Sequence, residues 1–111
     1  MMIYKILRAD EWAALSDRGE TAGAPADVRD GFVHFSTAEQ LSGTARRHFA
    51  GESDLELLAC DSTAMGADLR WEPSRGGALF PHLYRPLRRT DVVWHRKISA
   101  DLDGLDPGRL A

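Results

Sequence analysis

The pattern of apolar and polar positions divides the first half of the chain into short strands and helices. Residues 2–8 are rich in strand-forming side chains, and residues 10–18 have the spacing of a short helix, capped by Asp10 and closed by Gly19. A second helix is predicted over residues 38–49, because its apolar residues form one stripe: Ala38, Leu41, Ala45 and Phe49.

The segments around this second helix are less regular. Two overlapping capping boxes could begin the helix, Ser36 with Glu39 or Thr37 with Gln40. Residues 19–31 contain three Gly, one Pro and no apolar period, so we predict a loop there.

The second half of the chain is predicted to be mainly extended. Residues 55–60, of which all but Glu56 are apolar, are the best candidate for a buried strand, and residues 69–72 form a short strand that ends before a proline. Residues 79–84 contain Pro81, which favours an edge or irregular strand. Residues 91–99 alternate as a last strand, with Val92, Trp94 and Ile98 on one face and Val93, His95 and Lys97 on the other. Residues from about 101 to 111 are predicted to form a polar C-terminal tail.

The complete pattern predicts one α+β domain over residues 1–111, with six strands including one at 32–36 and two helices near the N-terminus. A length of 111 residues with 43% hydrophobic side chains suffices for one compact core. Cys60 is the single cysteine, which excludes an internal disulfide. No apolar run approaches the roughly 18 residues of a membrane helix, and we therefore expect a cytoplasmic protein without a membrane partner.

Charge is distributed unevenly along the chain. The net charge of −3 argues against strong bulk binding to nucleic acid. Between Arg85 and Lys97, however, five cations accompany only Asp91. This segment is either a solvated face that pairs with the acidic stretch 52–72 or a place where a phosphate group is held.

Two short segments share an arrangement of side chains that suits a polar ligand. Each places an aromatic ring, an imidazole and a hydroxyl on one face of a strand: Phe32, His34 and Ser36 in the first, and Phe80, His82 and Tyr84 in the second. An imidazole can donate, accept or titrate near neutral pH. The alternative is that both histidines are structural side chains whose hydrogen bonds are satisfied.

Other chemistries are less well supported by the spacing. A zinc site is disfavoured because its candidate ligands lack paired spacing: His34, His48, His82, His95 and Cys60. A nucleophilic pair of Ser36 and His82 lacks a nucleophile elbow, and no glycine-rich phosphate loop is present. Glu72 is a candidate carboxylate for acid–base or hydroxyl-orienting work, or else a polar strand end.

Several motifs resemble the bacterial family called domain of unknown function 952. The resemblance runs nearly from end to end of the chain. Its segments are Ile3-Tyr4-Lys5-Ile6, Glu11-Trp12, Gly31-Phe32-Val33-His34-Phe35-Ser36-Thr37, Glu39-Gln40, Arg70-Trp71-Glu72 and Phe80-Pro81-His82-Leu83-Tyr84-Arg85-Pro86-Leu87. One departure is Arg85, because the family usually has Gly there.

The family is grouped with the ADP-ribosyltransferases, near the RNA 2′-phosphotransferases. The resemblance therefore implies a compact α+β fold in which two small sheets form a cleft for NAD as substrate. It implies that His34 contacts a ribose hydroxyl and that His82 and Tyr84 line the nicotinamide. We assign catalysis to His34, His82, Tyr84 and Glu72, and the cofactor contacts to His34, Ser36, Thr37, Phe80, His82, Tyr84 and Arg85.

The reaction implied by the resemblance is cleavage of the bond between nicotinamide and ribose. A phosphate-bearing acceptor would need cations, for which the clustered candidates are Arg46, Arg47, Arg85, Arg88 and Arg89. No Glu follows Glu72, and this disfavours modification of proteins. Two alternatives stay open: a catalytically silent domain that binds a nucleotide or a peptide, and a purely structural or partner-binding protein.

Overall fold

The strands of the chain form three small antiparallel sheets, in a computed structural model that describes residues 1–98. The elements, in chain order, are β1 (Met2–Arg8), α1 (Ala9–Arg18), β2 (Glu20–Thr21), α2 (Pro25–Asp30), β3 (Val33–His34), α3 (Ala38–Phe49), β4 (Leu55–Asp61), α4 (Ser62–Met65), β5 (Leu69–Pro73), β6 (Leu79–Leu83), β7 (Leu87–Arg88) and β8 (Val92–Ile98). The α+β class is confirmed. The expected two sheets and two helices are corrected to three sheets and four helices within residues 1–98.

The largest sheet has the strand order β1-β4-β8 and lies in the middle of the core. Leu58 and Cys60 of β4 face one apolar cluster that includes Leu15 of α1. Leu57 faces a second cluster, which includes the predicted stripe of α3: Leu41, Ala45 and Phe49, with Ala38 packed against it. Both faces of β4 are therefore buried, and this explains why every residue from 55 to 60 except Glu56 is apolar. The predicted buried strand and the helix over 38–49 are confirmed.

The last strand, β8, contains an irregularity that changes the predicted faces. Ala59 of β4 pairs with Trp94, whereas its neighbour Cys60 pairs with Val92. Val93 is thus an extra residue on β8, as in a β-bulge, and Val92 and Trp94 face opposite sides of the sheet. The prediction that Val92, Trp94 and Ile98 share one face is wrong for Val92, which packs against the other apolar cluster.

The second three-stranded sheet has the order β3-β6-β5, so β6 is its central strand. The prediction of an edge or irregular strand for residues 79–84 is therefore wrong. The position of Pro81 in a central strand is explained by the side to which its polar backbone atoms point. Its carbonyl oxygen accepts a hydrogen bond from the Phe35 N–H, at 3.0 Å, just beyond the end of β3. The backbone nitrogen of Pro81 points to that same side, so its missing N–H removes no bond to β5.

The two larger sheets are joined by the chain that follows β3. Ser36 forms an isolated bridge with Tyr4 of β1, with backbone hydrogen bonds of 2.8 and 2.9 Å in the two directions. The third sheet is the short pair β2-β7. The bridge places His34 of β3 beside the N-terminal strand of the main sheet.

Residues 19–31, predicted as a loop, contain β2 and the helix α2. The chain enters α2 with Pro25 in the first turn, where its missing N–H costs nothing, and leaves it at Gly31 with φ 83°. The Asp27 side chain accepts the backbone N–H of Ala24 at 2.7 Å, which satisfies one donor at the helix start.

The starts of the two longer helices can be compared with their predicted caps. The N-cap of α1 is Arg8 rather than Asp10, and the Glu11 side chain accepts its backbone N–H at 2.8 Å. Of the two capping boxes considered for α3, the one that forms is Thr37 with Gln40.

No helix within residues 1–98 is long and apolar enough to cross a membrane. The predicted polar segment from about 101 to 111 lies outside the described residues.

Candidate functional site

His34 and His82 are direct cross-strand partners on β3 and β6. Their ring centroids are 5.4 Å apart and the rings meet edge to face. Both side chains line a groove of about 840 Å³ that runs past α2, α3 and β1. The structure thus brings together the two segments in which the sequence placed an aromatic ring, an imidazole and a hydroxyl.

The imidazole of His34 lies between two carboxylates of α2. Its Nδ1 is 2.6 Å from Oδ1 of Asp27, and its Nε2 is 3.0 Å from Oδ2 of Asp30. Its backbone N–H also donates to Asp27, at 2.9 Å. These bonds from Asp27 fix the orientation of the His34 ring. The His34 side chain is one third exposed, so one edge of the ring stays open to the groove.

Asp27 is the most deeply buried charged residue of the site, with 2% exposure. Its second oxygen, Oδ2, receives Nζ of Lys5 at 2.9 Å, and Lys5 also donates to the backbone oxygen of His34 at 3.0 Å. Burial alone would raise the pKa of Asp27, but the bonds from His34 and Lys5 outweigh it and lower the pKa from 3.8 to about 2. Asp27 is therefore a carboxylate across the working pH range of most proteins.

His82 is held by a different carboxylate. Its Nδ1 is 3.0 Å from Oε1 of Glu72 on β5, and the same oxygen accepts the hydroxyl of Tyr84 at 2.5 Å. The Tyr84 hydroxyl and, next, the His82 ring lower the pKa of Glu72. The His82 ring is 4% exposed, and its Nε2 has no hydrogen-bond partner within residues 1–98.

Phe32 packs against three rings of this site, those of His34, His82 and Tyr84. Its ring stacks on His82 with a centroid distance of 4.1 Å and an interplanar angle of 23°. The distances to His34 and Tyr84 are 4.6 and 5.2 Å. Phe32 also lines a smaller cavity of about 260 Å³.

The remaining predicted contacts fall in three places. Ser36 and Phe80 line the groove with the two histidines, and the Ser36 hydroxyl lies 2.8 Å from that of Thr44. Thr37 caps α3. Arg85 lines the smaller cavity with Tyr84, where its guanidinium makes two bonds to Asp91, of 2.8 and 3.0 Å, and a longer contact to Asp68.

Comparison with known proteins now adds an independent line of evidence. Residues 6–95 match the family described as protein of unknown function, DUF952. The chain belongs to this family. A crystal structure of protein CC0527 from Caulobacter crescentus is 46% identical and has a TM-score of 0.85, covering 87% of this chain and 85% of that one. The solution NMR structure of CC0527 is 46% identical, with a TM-score of 0.80 and coverages of 88% and 84%. No curated protein matches the chain.

Two of the candidate zinc ligands, Cys60 and His95, are not among the residues that line the groove. No group of three or more ligands that could hold a metal occurs within residues 1–98. Cys60 is fully buried, and burial raises the pKa of its thiol to about 12. His95 lies away from the groove, where its Nδ1 is 2.6 Å from Oε2 of the buried Glu56 and its ring packs on Trp12.

Three residues of the site escaped the sequence analysis: Lys5, Asp27 and Asp30. The two aspartates were missed because residues 19–31 were predicted to be a loop. The pattern of Pro25 followed by Asp27 and then Gly31 is the signal that could have found the helix, since it matches a first-turn proline, an acidic N3 residue and a C′ glycine. Nothing in the local sequence of Lys5 indicates its role, because its partners are more than 20 residues away.

Proposed function

We propose that this domain binds NAD in the groove beside His34 and His82 and that it is built to cleave the bond between nicotinamide and ribose. The observation that carries the proposal is the pair of adjacent imidazoles, each held by a carboxylate, on the wall of a groove of about 840 Å³. That volume lies within the range of small-molecule sites. The choice of NAD is supported by the grouping with the ADP-ribosyltransferases that the family resemblance implies.

His34 would contact a ribose hydroxyl of NAD through Nε2. Asp27 orients the ring through Nδ1, and Asp30, which is one third exposed, would give up its place at Nε2 to the ligand. His82 and Tyr84 would provide the wall for the nicotinamide ring. This division of roles leaves the buried Asp27 as a positioning residue that does not touch the ligand.

The bond that breaks in the proposed reaction joins C1′ of the ribose to the ring nitrogen of nicotinamide. The nicotinamide leaves with the electron pair, which neutralises its ring and leaves a positive charge on the ribose. The carboxylate of Asp30 lies on the groove wall, where its negative charge stabilises that cation. A water molecule that attacks C1′ and releases one proton gives ADP-ribose, nicotinamide and H⁺.

A phosphate oxygen is the alternative attacking group. Of the five arginines proposed for this purpose, Arg47 of α3 lines the groove. Arg85 is paired with Asp91, and Arg89 lies over the ring of Trp12. We therefore assign to Arg47 the contact with a phosphate-bearing acceptor.

Calorimetric titration with NAD tests the binding. We expect heat of binding with the wild type at millimolar ligand, and a loss of affinity well beyond tenfold in His34→Ala and in His82→Ala. His95→Ala is the matched control, because that histidine also pairs with a glutamate but lies outside the groove, and its affinity should be unchanged. An absence of heat with the wild type would remove the NAD proposal.

A catalytically silent nucleotide-binding domain is the second candidate. It is favoured by Glu72, whose Oε1 is shared between His82 and Tyr84, and by the absence of any Glu after position 72 in the sequence. Prolonged incubation with NAD separates the two candidates. Release of nicotinamide above the level of His34→Ala indicates turnover, whereas binding without release indicates a silent domain.

A further inference from the structure

A second property of His82 does not depend on which molecule occupies the groove. Its side chain is buried, yet its Nε2 meets no hydrogen-bond partner within residues 1–98. Buried polar atoms are satisfied in the great majority of cases, so an exception in the wall of a groove points to a ligand. The other ring nitrogen is already engaged with Glu72.

The partner at Nδ1 determines what Nε2 can do. An ionised carboxylate only accepts hydrogen bonds, and Glu72 already accepts the hydroxyl of Tyr84. The proton of a neutral His82 ring therefore lies on Nδ1, and Nε2 presents a lone pair. Such a nitrogen pairs with an N–H or O–H donor rather than with a carbonyl or a carboxylate.

Phe32 contacts both this histidine and the smaller cavity beside the groove. Its ring stacks on the His82 ring, and Phe32 also lines the cavity of about 260 Å³. That cavity is also lined by Val28 and Leu83 and is therefore partly apolar, which suits an aromatic ring. Phe32 follows Gly31 and is only partly buried, so its displacement leaves the large core clusters intact.

We propose that His82 Nε2 is a hydrogen-bond acceptor for an amide or hydroxyl group of the bound molecule, and that Phe32 is a gate over this histidine that swings into the adjoining cavity when the site is used. The acceptor on His82 and the gate formed by Phe32 act together. The stacked Phe32 ring covers one face of the His82 ring while the groove is closed, and the cavity beside Val28 receives the Phe32 ring when the groove opens.

Nitrogen-15 NMR of the full chain tests the acceptor. In the wild type, the neutral His82 ring should show the shifts of a protonated Nδ1 and an unprotonated Nε2. Glu72→Gln is the matched variant, because its amide has similar size but loses the charge that keeps the proton on Nδ1, and the population with the proton on Nε2 should rise. A neutral wild-type ring that carries its proton on Nε2 would overturn the assignment.

Carbethoxylation of histidines, mapped by mass spectrometry at constant pH, tests the gate. Diethyl pyrocarbonate reacts with an accessible unprotonated ring nitrogen, so His82 of the wild type should react at least tenfold more slowly than the more exposed His95. Phe32→Ala should accelerate the reaction of His82 at least tenfold and leave that of His95 unchanged. An unchanged rate at His82 in Phe32→Ala would overturn the gate.

The receiving cavity is tested from its exposed rim, so that the result does not depend on the stability of Phe32→Ala. Val28 is 62% exposed and lines this cavity. Val28→Phe should fill it and slow the reaction of His82 at least threefold, whereas Val28→Ala should react as fast as the wild type or faster. Equal rates in these two variants would show that Phe32 does not move into this cavity.

Discussion

The buried carboxylate of Asp27 is the part of the site whose loss has the most calculable effect, and Asp27→Asn is the perturbation that isolates it. The side chain keeps its size but loses its charge and one of its two acceptor oxygens. In the native protein those oxygens receive four donors, from the Lys5 ammonium, the Ala24 N–H, and the backbone and ring of His34. An asparagine amide in either orientation places its NH₂ group against two of these donors.

The expected cost follows from the burial of the pair. Lys5 is 7% exposed and Asp27 2%, so the variant leaves a buried ammonium without a counter-ion. Removing one partner of a buried ion pair costs about 3–5 kcal/mol, and we expect a loss in the free energy of unfolding in that range. For a domain of this size, such a loss lowers Tm by at least about 12 °C.

Urea unfolding at pH 7 is the assay, with the midpoint and slope measured together. Asp30→Asn is the matched control, because this second carboxylate also contacts His34 but is one third exposed, and its loss in the free energy of unfolding should be much smaller than that of Asp27→Asn. Combining Asp27→Asn with Lys5→Met removes both charges and should recover part of the lost stability. A loss below about 1 kcal/mol in Asp27→Asn alone would refute this reasoning.

The acid dependence of stability gives a second readout for the same residue. Because the pKa of Asp27 is lowered from 3.8 to about 2, its ionisation stabilises the folded state fully above pH 3.8, and this contribution is lost as the pH falls toward 2. The difference corresponds to about 2 kcal/mol. Asp27→Asn should lack this part of the acid-induced loss, and an identical acid profile in the two proteins would contradict the assignment.

Two further predictions concern Glu72 and Cys60. The Tyr84 hydroxyl is the largest cause of the lowered pKa of Glu72, so Tyr84→Phe should raise that pKa toward its ordinary value of 4.5 in an NMR titration, and an unchanged value would show that the hydroxyl does not bond the carboxylate. Burial raises the pKa of Cys60 to about 12, so a thiol reagent at pH 8 should label the native protein at least a hundredfold more slowly than the urea-unfolded protein, and prompt labelling of the native state would contradict the fold.

The elements that the sequence predicted well are those whose burial is decided by local spacing. The helix α3 has a narrow apolar stripe, and both faces of β4 are covered by apolar clusters, so every residue from 55 to 60 except Glu56 is apolar. The sidedness of β8 could not be predicted in the same way. Along its own strand, Val93 fits the alternation of side chains between the two faces. It is recognised as the extra residue of a bulge only from the partner strand, where Ala59 pairs with Trp94 and the next residue, Cys60, pairs with Val92.

The same distinction applies to the candidate site: the local patterns were predicted, and the contacts between distant segments were not. The segments around His34 and His82 are visible in the sequence because each repeats an aromatic, imidazole and hydroxyl pattern within five residues. Their carboxylate partners are not visible, since Glu72 reaches His82 only through the pairing of β5 with β6. Asp27 reaches His34 only because residues 25–30 form a helix, and the first turn of that helix brings the Asp27 side chain against β3.

The position of His34 couples the site to the assembly of the fold. Two residues after His34, the chain crosses from the β3-β6-β5 sheet to a bridge with Tyr4 of β1. Lys5, the neighbour of Tyr4, reaches back to the carbonyl oxygen of His34 and to Asp27. The same buried ion pair therefore holds the ring of His34 and the junction of the two sheets, so a substitution that loosens the junction also disorders the ring. Separating the two effects requires changes at the exposed carboxylate of Asp30, where the ligand-facing nitrogen of His34 can be altered while the junction stays intact.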